Sequence, residues 1–397
     1  MNKLFILGES SFIAGSLYLH LKSVYDDNIV LLNHNNYHHL HSATENDIII
    51  NFCGVNRASN EEEYQTANHV FLKKILHELI AKPFIIHTSS FMVYGFKNKN
   101  IEELGDYQKW FIRSKLDGEQ YLENNYPNDK LCIIRPSNIY GYNCKPYYNN
   151  LLSTLMYEKI CNLNKINKLN KNCIRNMLSV ETLCKQIQIM IKQKTCGKYN
   201  ILSDNDVSLS TIASNIYNKK IPETISLIDG DEDIPNLDNK IIHGINIILN
   251  EDFQEQIQTL EINMKRFIEL QNSISITKLN EMSQPRGNMV EISALHAKRL
   301  YKITFTPHSV RGNHYHFKQI EEFYTNRGTI LYLFAHADCP HVVYMYKSVE
   351  NDRIVVNPLI IHTLSNDYVN NFPEIIIGST QEFIEGSIPD TKYINII

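Results

Sequence analysis

The sequence predicts an α/β chain: a doubly wound parallel sheet followed by an all-β sandwich or barrel. Over about the first 200 residues, short apolar runs alternate with longer helical stretches, the grammar of a parallel sheet covered on both faces. After about Ser275 helical patterns largely vanish, and short strands separated by turns take over. The length of 397 residues, with 43% hydrophobic and 21% charged residues, suits a globular protein of two or three domains.

In order, "KLFIL", "NIVLL", "DIIINF", "PFIIHTSS" and "KLCIIRPS" read as strands, because each is a short apolar run bounded by turn residues. Between them "FIAGSLYLHLKSVY" and "NHVFLKKILHELIAK" space their apolar residues as helices do. From about Asn200 to Leu270 the pattern weakens to helices such as "LSTIASNIYNKK" and "EDFQEQIQTLEINMKRFIEL". The asparagine- and lysine-rich tract "CNLNKINKLNKNC" reads as a solvated loop. "RLYKITFTP", "TILYLFAH", "VVYMYKS", "DRIVVNP" and "EIIIGST" then read as strands of the β half. The boundary is expected around "QNSISITKLNEMSQPRG", giving domains 1–272 and 273–397.

A net charge of −4 with neutral histidines makes no electrostatic case for nucleic acid. No apolar run reaches the roughly 18 residues that would span a membrane, and "MNKLFILGES" does not read as a signal peptide. Eight cysteines without a C-x-x-C pair suggest reduced thiols and a cytoplasmic protein.

The first strand runs into "GESSFIAGS", Gly8 to Ser16. A glycine there lets backbone N–H groups meet a pyrophosphate at a helix start. Gly8, Ser11, Phe12 and Ile13 are the cofactor-binding candidates, although Ser11 and Ala14 stand where further glycines are usual. The second strand ends in "LLNHNN", with Asn33 where an acidic residue would hold a ribose 2′-hydroxyl. This tilts the expected cofactor toward NADP(H).

"HTSSFMVYG" (His87–Gly95), "WFIRSKLDGEQ" (Trp110–Gln120) and "RPSNIYGYNCKPYYN" (Arg135–Asn149) resemble segments of extended short-chain dehydrogenases that act on sugar nucleotides. The resemblance makes Ser90 the hydroxyl that polarises a substrate carbonyl. It makes Lys115 the lysine that binds the nicotinamide ribose and depresses the pKa of a catalytic tyrosine. That tyrosine is Phe111 here, and a benzyl group moves no proton. Loss of one general acid costs about 10²–10⁴ in rate. Tyr107, Tyr94 and Tyr140 are the phenols considered as stand-ins; Tyr107 would sit about 6 Å along the helix axis.

In the β half, "RGNHYHFKQIEEFYTNRG" (Arg311–Gly328) matches the first cupin motif, H-x-H-x(4)-E-x(6)-G. His314 and His316 alternate along one strand, so both imidazoles face one way. "NPLIIHTLSN" adds His362, with Leu359 in place of the usual glycine. His314, His316, Glu321 and His362 form a candidate site for one divalent metal, zinc being expected. The C-terminal half is therefore expected to be a cupin (jelly-roll) barrel after an N-terminal Rossmann-type sheet. Arg311 is placed either to hold a pyrophosphate or to make a structural ion pair.

Together with "NFCGVNR" (Asn51–Arg57) and the Cys-Lys-Pro insertion at Cys144–Pro146, these motifs resemble the bifunctional reductase–cupin enzymes of capsular sugar synthesis (CapF type). The resemblance implies a UDP-2-acetamido-2,6-dideoxy-hexos-4-ulose substrate. In that family the cupin epimerises C3 and the dehydrogenase domain reduces C4 with NADPH, toward sugars of the UDP-N-acetyl-L-rhamnosamine or 6-deoxy-L-talosamine type. It further implies substrate contacts at Arg57, Asn138, Lys145 and Arg311, and a homodimer. Phe317 and Gln319 replace a His and a Lys of the family motif. His308, His336 and Tyr324 are the other bases considered. Binding residues match better than proton-transfer residues, so the alternative is a catalytically reduced relative kept for sugar-nucleotide binding or assembly.

Overall fold

The computed structural model describes residues 2–25, 28–96, 101–230, 244–284, 287–290, 292, 297–368, 371–380 and 390–396. The chain divides into two compact units, Met1–Ile262 and Asn263–Ile397. The division lies inside a helix that ends at Asn272, the last residue of the first domain expected from sequence. Pro285 and Arg286 of the expected boundary segment lie outside the described residues.

Unit 1 is built on strands β1 (Leu4–Leu7), β2 (Ile29–Leu32), β3 (Ile48–Asn51), β4 (Phe84–Thr88), β5 (Leu131–Pro136), β6 (Gly197–Ser203) and β7 (Ile245–Leu249). They form one parallel sheet in the order β7-β6-β5-β4-β3-β1-β2. Every residue of β1 to β5 is buried, as a sheet covered on both faces requires. Helices α1 (Phe12–Tyr25), α2 (Glu61–Gln65), α3 (Phe71–Glu78), α4 (Asp106–Asn125), α5 (Leu151–Cys161), α6 (Val180–Gln193), α7 (Leu209–Ile216) and α8 (Phe253–Asn272) follow in chain order. The chain starts one strand in from an edge of the sheet, sends β2 to that edge and β3 to the other side, and so opens a crevice beyond the carboxyl ends of β1 and β3. β6 and β7 went unread in the sequence. The tract read as a loop contains a strand, Lys168–Asn170, paired with Ser226–Ile228; its Leu169 is buried and anchors it.

Helix α4 buries Ile112, Ser114, Lys115, Gly118, Glu119 and Leu122, a stripe at helical spacing. Two of these are ionisable. Glu119 takes the Arg135 guanidinium of β5 in a fork, Nε to Oε1 at 2.9 Å and Nη2 to Oε2 at 2.5 Å. Their side chains are 3% and 1% exposed. Arg135 also donates to the Tyr94 hydroxyl at 2.9 Å, and that hydroxyl bonds the Asn200 amide of β6. Gly118 permits the approach of the preceding layer: a Cβ there would stand 2.7 Å from the Asn68 carbonyl. Asn68 belongs to a π turn, Thr66–Val70, between α2 and α3.

Unit 2 is antiparallel among its described strands, apart from any helix contributed by the end of α8. Its two larger sheets are built from β8 (Ile274–Lys278), β9 (Arg299–Thr304), β10 (Val310–His316), β11 (Glu321–Arg327), β12 (Thr329–His336), β13 (Cys339–Val349), β14 (Asp352–Val356), β15 (Ile360–Ser365), β16 (Glu374–Ser379) and β17 (Thr391–Tyr393), beside a separate pair of short strands, Glu281–Gln284 and Gly287–Val290. Sheet β8-β14-β11-β16-β9 and sheet β13-β12-β15-β10-β17 have five strands each. Phe305, Phe323, Tyr332, Phe334, Ile354 and Leu364 belong to the buried core of this unit. This is the cupin-like β domain expected from the motifs.

Removing one partner of a buried ion pair costs about 3–5 kcal/mol, because the other charge is left unpaired. Glu119→Gln is therefore expected to destabilise unit 1 by that amount in urea denaturation. The double variant with Arg135→Met should lose less than the sum of the two single variants.

Candidate active site and metal centre

In unit 1 a cleft of about 1320 Å³ opens at the crevice between β1 and β3. Gly8, Ser11, Phe12, Ile13 and Asn33 line it, as do Ser90, Phe111 and Lys115, and the basic or amide side chains Arg57, Asn138 and Lys145. Every site residue expected in this half thus shares one cleft. Gly8 has φ +94°, and a Cβ on it would meet the Phe52 backbone at 3.0 Å, so the first turn closes tightly onto the loop after β3. Ser11 N–H donates to the Gly8 carbonyl at 2.7 Å, which starts α1. Arg57 and Asn56 lie on the loop after β3. That loop is held by Asn68, whose Oδ1 accepts from Val55 N–H at 3.0 Å and whose Nδ2 donates to Ser114 Oγ at 3.0 Å. Gly54 within it has φ +154°, and a Cβ would stand 2.5 Å from Asn68 Oδ1 and 3.0 Å from Lys115 Nζ. No local motif pointed to Asn68, since its partners lie far along the chain.

Ser90 Oγ accepts the Met92 N–H at 3.2 Å, which leaves its own proton to donate into the cleft. Lys115 is buried, with Nζ 3.4 Å from the Thr88 carbonyl and 5.9 Å from the Phe111 ring centroid. Burial pushes its ammonium down to about 8, with Glu119 and Cys53 offsetting part of that. His87, behind it, is held near 3 by burial and by the Lys115 charge, so it stays neutral. Burial pushes the Cys53 thiol up to about 12, which removes it as a nucleophile at neutral pH.

The ring of Phe111 meets Tyr64 edge-on, centroids 6.0 Å apart. The Tyr64 hydroxyl donates to the Asn56 carbonyl. Two of the proposed stand-ins are excluded by position. Tyr94 is committed to Arg135 and Asn200, and neither it nor Tyr140, whose hydroxyl is buried, lines the cleft. Tyr107 does line it, but on the first turn of α4, 62% exposed and packed edge-on against Trp110.

In unit 2 the four expected ligands converge. One donor atom from each of His314, His316, Glu321 and His362 lies within 4.8 Å of all the others. His314 and His316 come from β10 and His362 from its neighbour β15, opposite His314 in register. Glu321 comes from β11 in the other sheet, so the cluster sits between the sheets. Its separations are 3.2 Å for His314 Nε2 to His362 Nε2, 3.0 Å for His362 Nε2 to Glu321 Oε2, and 3.5 Å for His316 Nε2 to Glu321 Oε1. Burial and the neighbouring His362 hold His314 near 4, hence neutral and able to ligate. Burial works to raise Glu321, yet its contacts with His316 and His362 hold it well below the usual carboxylate range. Three imidazole nitrogens and one ionised carboxylate facing one point are a donor set that fits a divalent cation such as zinc.

Around the ligands, His362 Nδ1 lies 3.3 Å from the Ile360 carbonyl. A carbonyl only accepts, so that contact places the proton on Nδ1 and frees Nε2. Thr391 Oγ1 lies 3.1 Å from His316 Nδ1, a contact in which either atom can donate and which orients the ring. Tyr393, two residues on, brings its ring to 5.4 Å from that of His314. Both come from β17, which pairs with β10 through His314↔Tyr393 and His316↔Thr391. The sequence reading missed this strand, because a three-residue strand has no usable periodicity. Gln319 donates to Glu321 Oε1 at 2.8 Å. Tyr324 is ruled out as a base beside the cluster. It shares with Glu322 the strand face opposite Glu321, and its hydroxyl donates to Glu322 at 2.6 Å. His336 faces Asp338, and the His308 backbone is tied to the Asn366 carbonyl. Arg311 pairs with Leu364, on the sheet face that carries His362, and lies 5.9 Å over the Phe305 ring.

The NAD dependent epimerase/dehydratase family model matches residues 23–201, a span that holds Ser90, Phe111, Lys115 and Arg135. Among solved structures, CapF, a capsular polysaccharide assembling protein from Staphylococcus aureus, is similar at 21% identity. That match covers 99% of this chain and 100% of CapF, with a TM-score of 0.47. MoeE5, solved in complex with UDP-glucose and NAD, is 14% identical over 66% of this chain and 98% of its own, with a TM-score of 0.52. UDP-N-acetylglucosamine 4-epimerase from Bacillus cereus is 15% identical over 67% and 97%, with a TM-score of 0.50. The last two share the fold of unit 1. No curated protein sequence matches.

Elemental analysis of protein purified without chelator is expected to show one divalent ion per chain. Outer partners of a ligating histidine are worth about 10–100-fold in metal affinity. Thr391→Val should weaken binding by that factor in competition with a chromophoric chelator, while His316→Ala should abolish it.

Proposed function

We propose that the chain is a bifunctional enzyme of nucleotide-sugar synthesis acting on a UDP-2-acetamido-2,6-dideoxy-hexos-4-ulose. Its β unit epimerises C3, and its α/β unit is a C4 reductase scaffold for a nicotinamide dinucleotide. What supports this is one chain joining a dinucleotide crevice that holds Ser90 and Lys115 to a cluster of three imidazoles and a carboxylate. A C–H next to a ketone is acidic enough to ionise only when the developing oxyanion is stabilised.

His314, His316, Glu321 and His362 would hold a divalent ion, with zinc as the proposed metal. Bound there, it supplies Lewis-acid stabilisation of that negative charge. Gln319 and Thr391 orient Glu321 and His316, and Arg311 offers a positive charge on the same barrel to the substrate diphosphate.

In the crevice, Gly8 and the start of α1 would receive the cofactor pyrophosphate, and the dinucleotide supplies the hydride. Ser90 would donate a hydrogen bond to the ketone oxygen and polarise it. Arg57 and Lys145 present cations to a diphosphate. Lys115 keeps a positive charge beneath Phe111, where the nicotinamide ribose belongs by resemblance. No phenol stands at Phe111 to deliver the proton that an alkoxide needs. That absence favours a second reading, in which the protein binds sugar nucleotides and reduces them slowly or not at all.

The deciding experiment uses NADH and NADPH with a UDP-4-ulose, following deuterium uptake at C3 by NMR and dinucleotide oxidation by absorbance. Wild type is expected to exchange at C3 and to reduce poorly. Phe111→Tyr should raise reduction by on the order of 10² or more, Lys115→Ala in that background should abolish the gain, and His316→Ala should remove exchange alone. Ordinary reduction by wild type, unchanged in Phe111→Tyr, would show that another group supplies the proton. Binding of the UDP-sugar with neither exchange nor reduction would leave only the second reading.

A further inference from the structure

Glu9 lies in the first turn, between Gly8 and the start of α1. Its backbone N–H donates to the Leu32 carbonyl at the end of β2, at 3.2 Å. Its side chain reaches the same place: Glu9 Oε1 accepts from Asn33 Nδ2 at 2.6 Å. Asn33 follows β2 and lines the cleft. In a crevice of this topology, the residue at that position faces the adenine ribose of a dinucleotide. The expectation of NADP(H) rested on the lack of a carboxylate after β2. The fold brings one there from the β1–α1 turn.

We propose that Glu9, acting through Asn33, makes this cleft select NAD(H) over NADP(H). The inference rests on the reading of the cleft as a nicotinamide dinucleotide site. Asn33 has little freedom to adapt. Its Nδ2 is held by Glu9, its Oδ1 accepts from Asn35 N–H at 2.7 Å, and its own N–H donates to Asn36 Oδ1 at 2.6 Å. The edge it offers is therefore an acceptor backed by a negative charge. A ribose 2′-hydroxyl can donate to such an edge. A 2′-phosphate brings only acceptor oxygens and close to two negative charges, so it meets repulsion from the Glu9 carboxylate and the Asn33 carbonyl oxygen. The turn itself supplies no lysine or arginine: residues 33–36 are Asn33, His34, Asn35 and Asn36, of which His34 also lines the cleft. The rival partner for a 2′-phosphate is Lys74 of α3, which lines the same cleft. Its helix packs on this side through Phe71, edge-on to Tyr37 with centroids 5.1 Å apart.

Titration calorimetry of the full chain with NADH and NADPH tests this without requiring turnover. Adenosine 5′-monophosphate and adenosine 2′,5′-bisphosphate repeat it at the adenine end alone, away from Phe111. Wild type is expected to bind NADH at least about 10-fold more tightly than NADPH, with the same order for the fragments. Glu9→Gln keeps an acceptor for Asn33 and removes the charge, so the ratio should fall toward one through tighter NADPH binding. NADPH bound as tightly as NADH by wild type would overturn the proposal, and weakening of that binding by Lys74→Ala would assign the phosphate to the lysine. A ratio unchanged in Glu9→Gln would also overturn it. Binding of neither dinucleotide and neither fragment would sink the dinucleotide reading itself, and this inference with it.

Discussion

The buried fork between Glu119 and Arg135 fixes the helix on which the α/β site depends. Phe111, Lys115 and Glu119 are spaced four apart on α4, so they share one face over about 12 Å of helix. The lower member is clamped to β5 by two charge-assisted hydrogen bonds, and Arg135 is tied onward to Tyr94 and Asn200. The upper two members are thereby held at the cleft. Gly118 lets the π turn at Asn68 come against α4, and Asn68 in turn holds the loop that carries Arg57. Glu119, in the same motif, is a positioning residue buried away from the cleft.

The cluster of three histidines and Glu321 depends on a different constraint, strand register. His314 and His362 meet because β10 and β15 pair with those residues opposite, and the irregularity between Gly312 and His314 sets which β10 side chains face inward. A slip of one residue in β10 would turn His314 and His316 to the other face. Strand β17 adds a third line of register, and with it Thr391 behind His316. The ligand geometry is a property of the two sheets, not of any one loop.

Legibility in the sequence followed the range of the interactions. Strands β1 to β5 were readable because burial on both faces leaves continuous apolar runs, and α1 because its period is undisturbed. The four ligands were readable because alternation on β10 puts two of them at fixed spacing. β6 escaped notice because its first residues, Gly197 to Tyr199, are polar or only part-buried. β7 escaped because it is an exposed edge. Asn68, Thr391 and the Glu9–Asn33 bond were not readable, since each acts across 13 to 75 positions of chain and leaves no spacing to recognise. The absence of an acid after β2 was read correctly as a fact of sequence. What the spacing could not show is that Glu9 arrives beside Asn33 from another turn.

The same separation between frame and chemistry explains why this chain keeps the architecture of an enzyme around altered proton-transfer positions. Phe111 differs from tyrosine by one hydroxyl at a cleft-lining, half-buried site. Its ring still packs edge-on against Tyr64 and over Lys115, so removal of the hydroxyl leaves the packing intact. Gln319 stands where the family motif carries lysine, and its amide still bonds Glu321. Neither position belongs to the Glu119–Arg135 clamp or to the ligand register. Substitutions at such positions cost the fold little while changing which protons can move. The clamp and the register stand whether or not the proton steps survive, so structural preservation and chemical competence have to be decided by separate measurements.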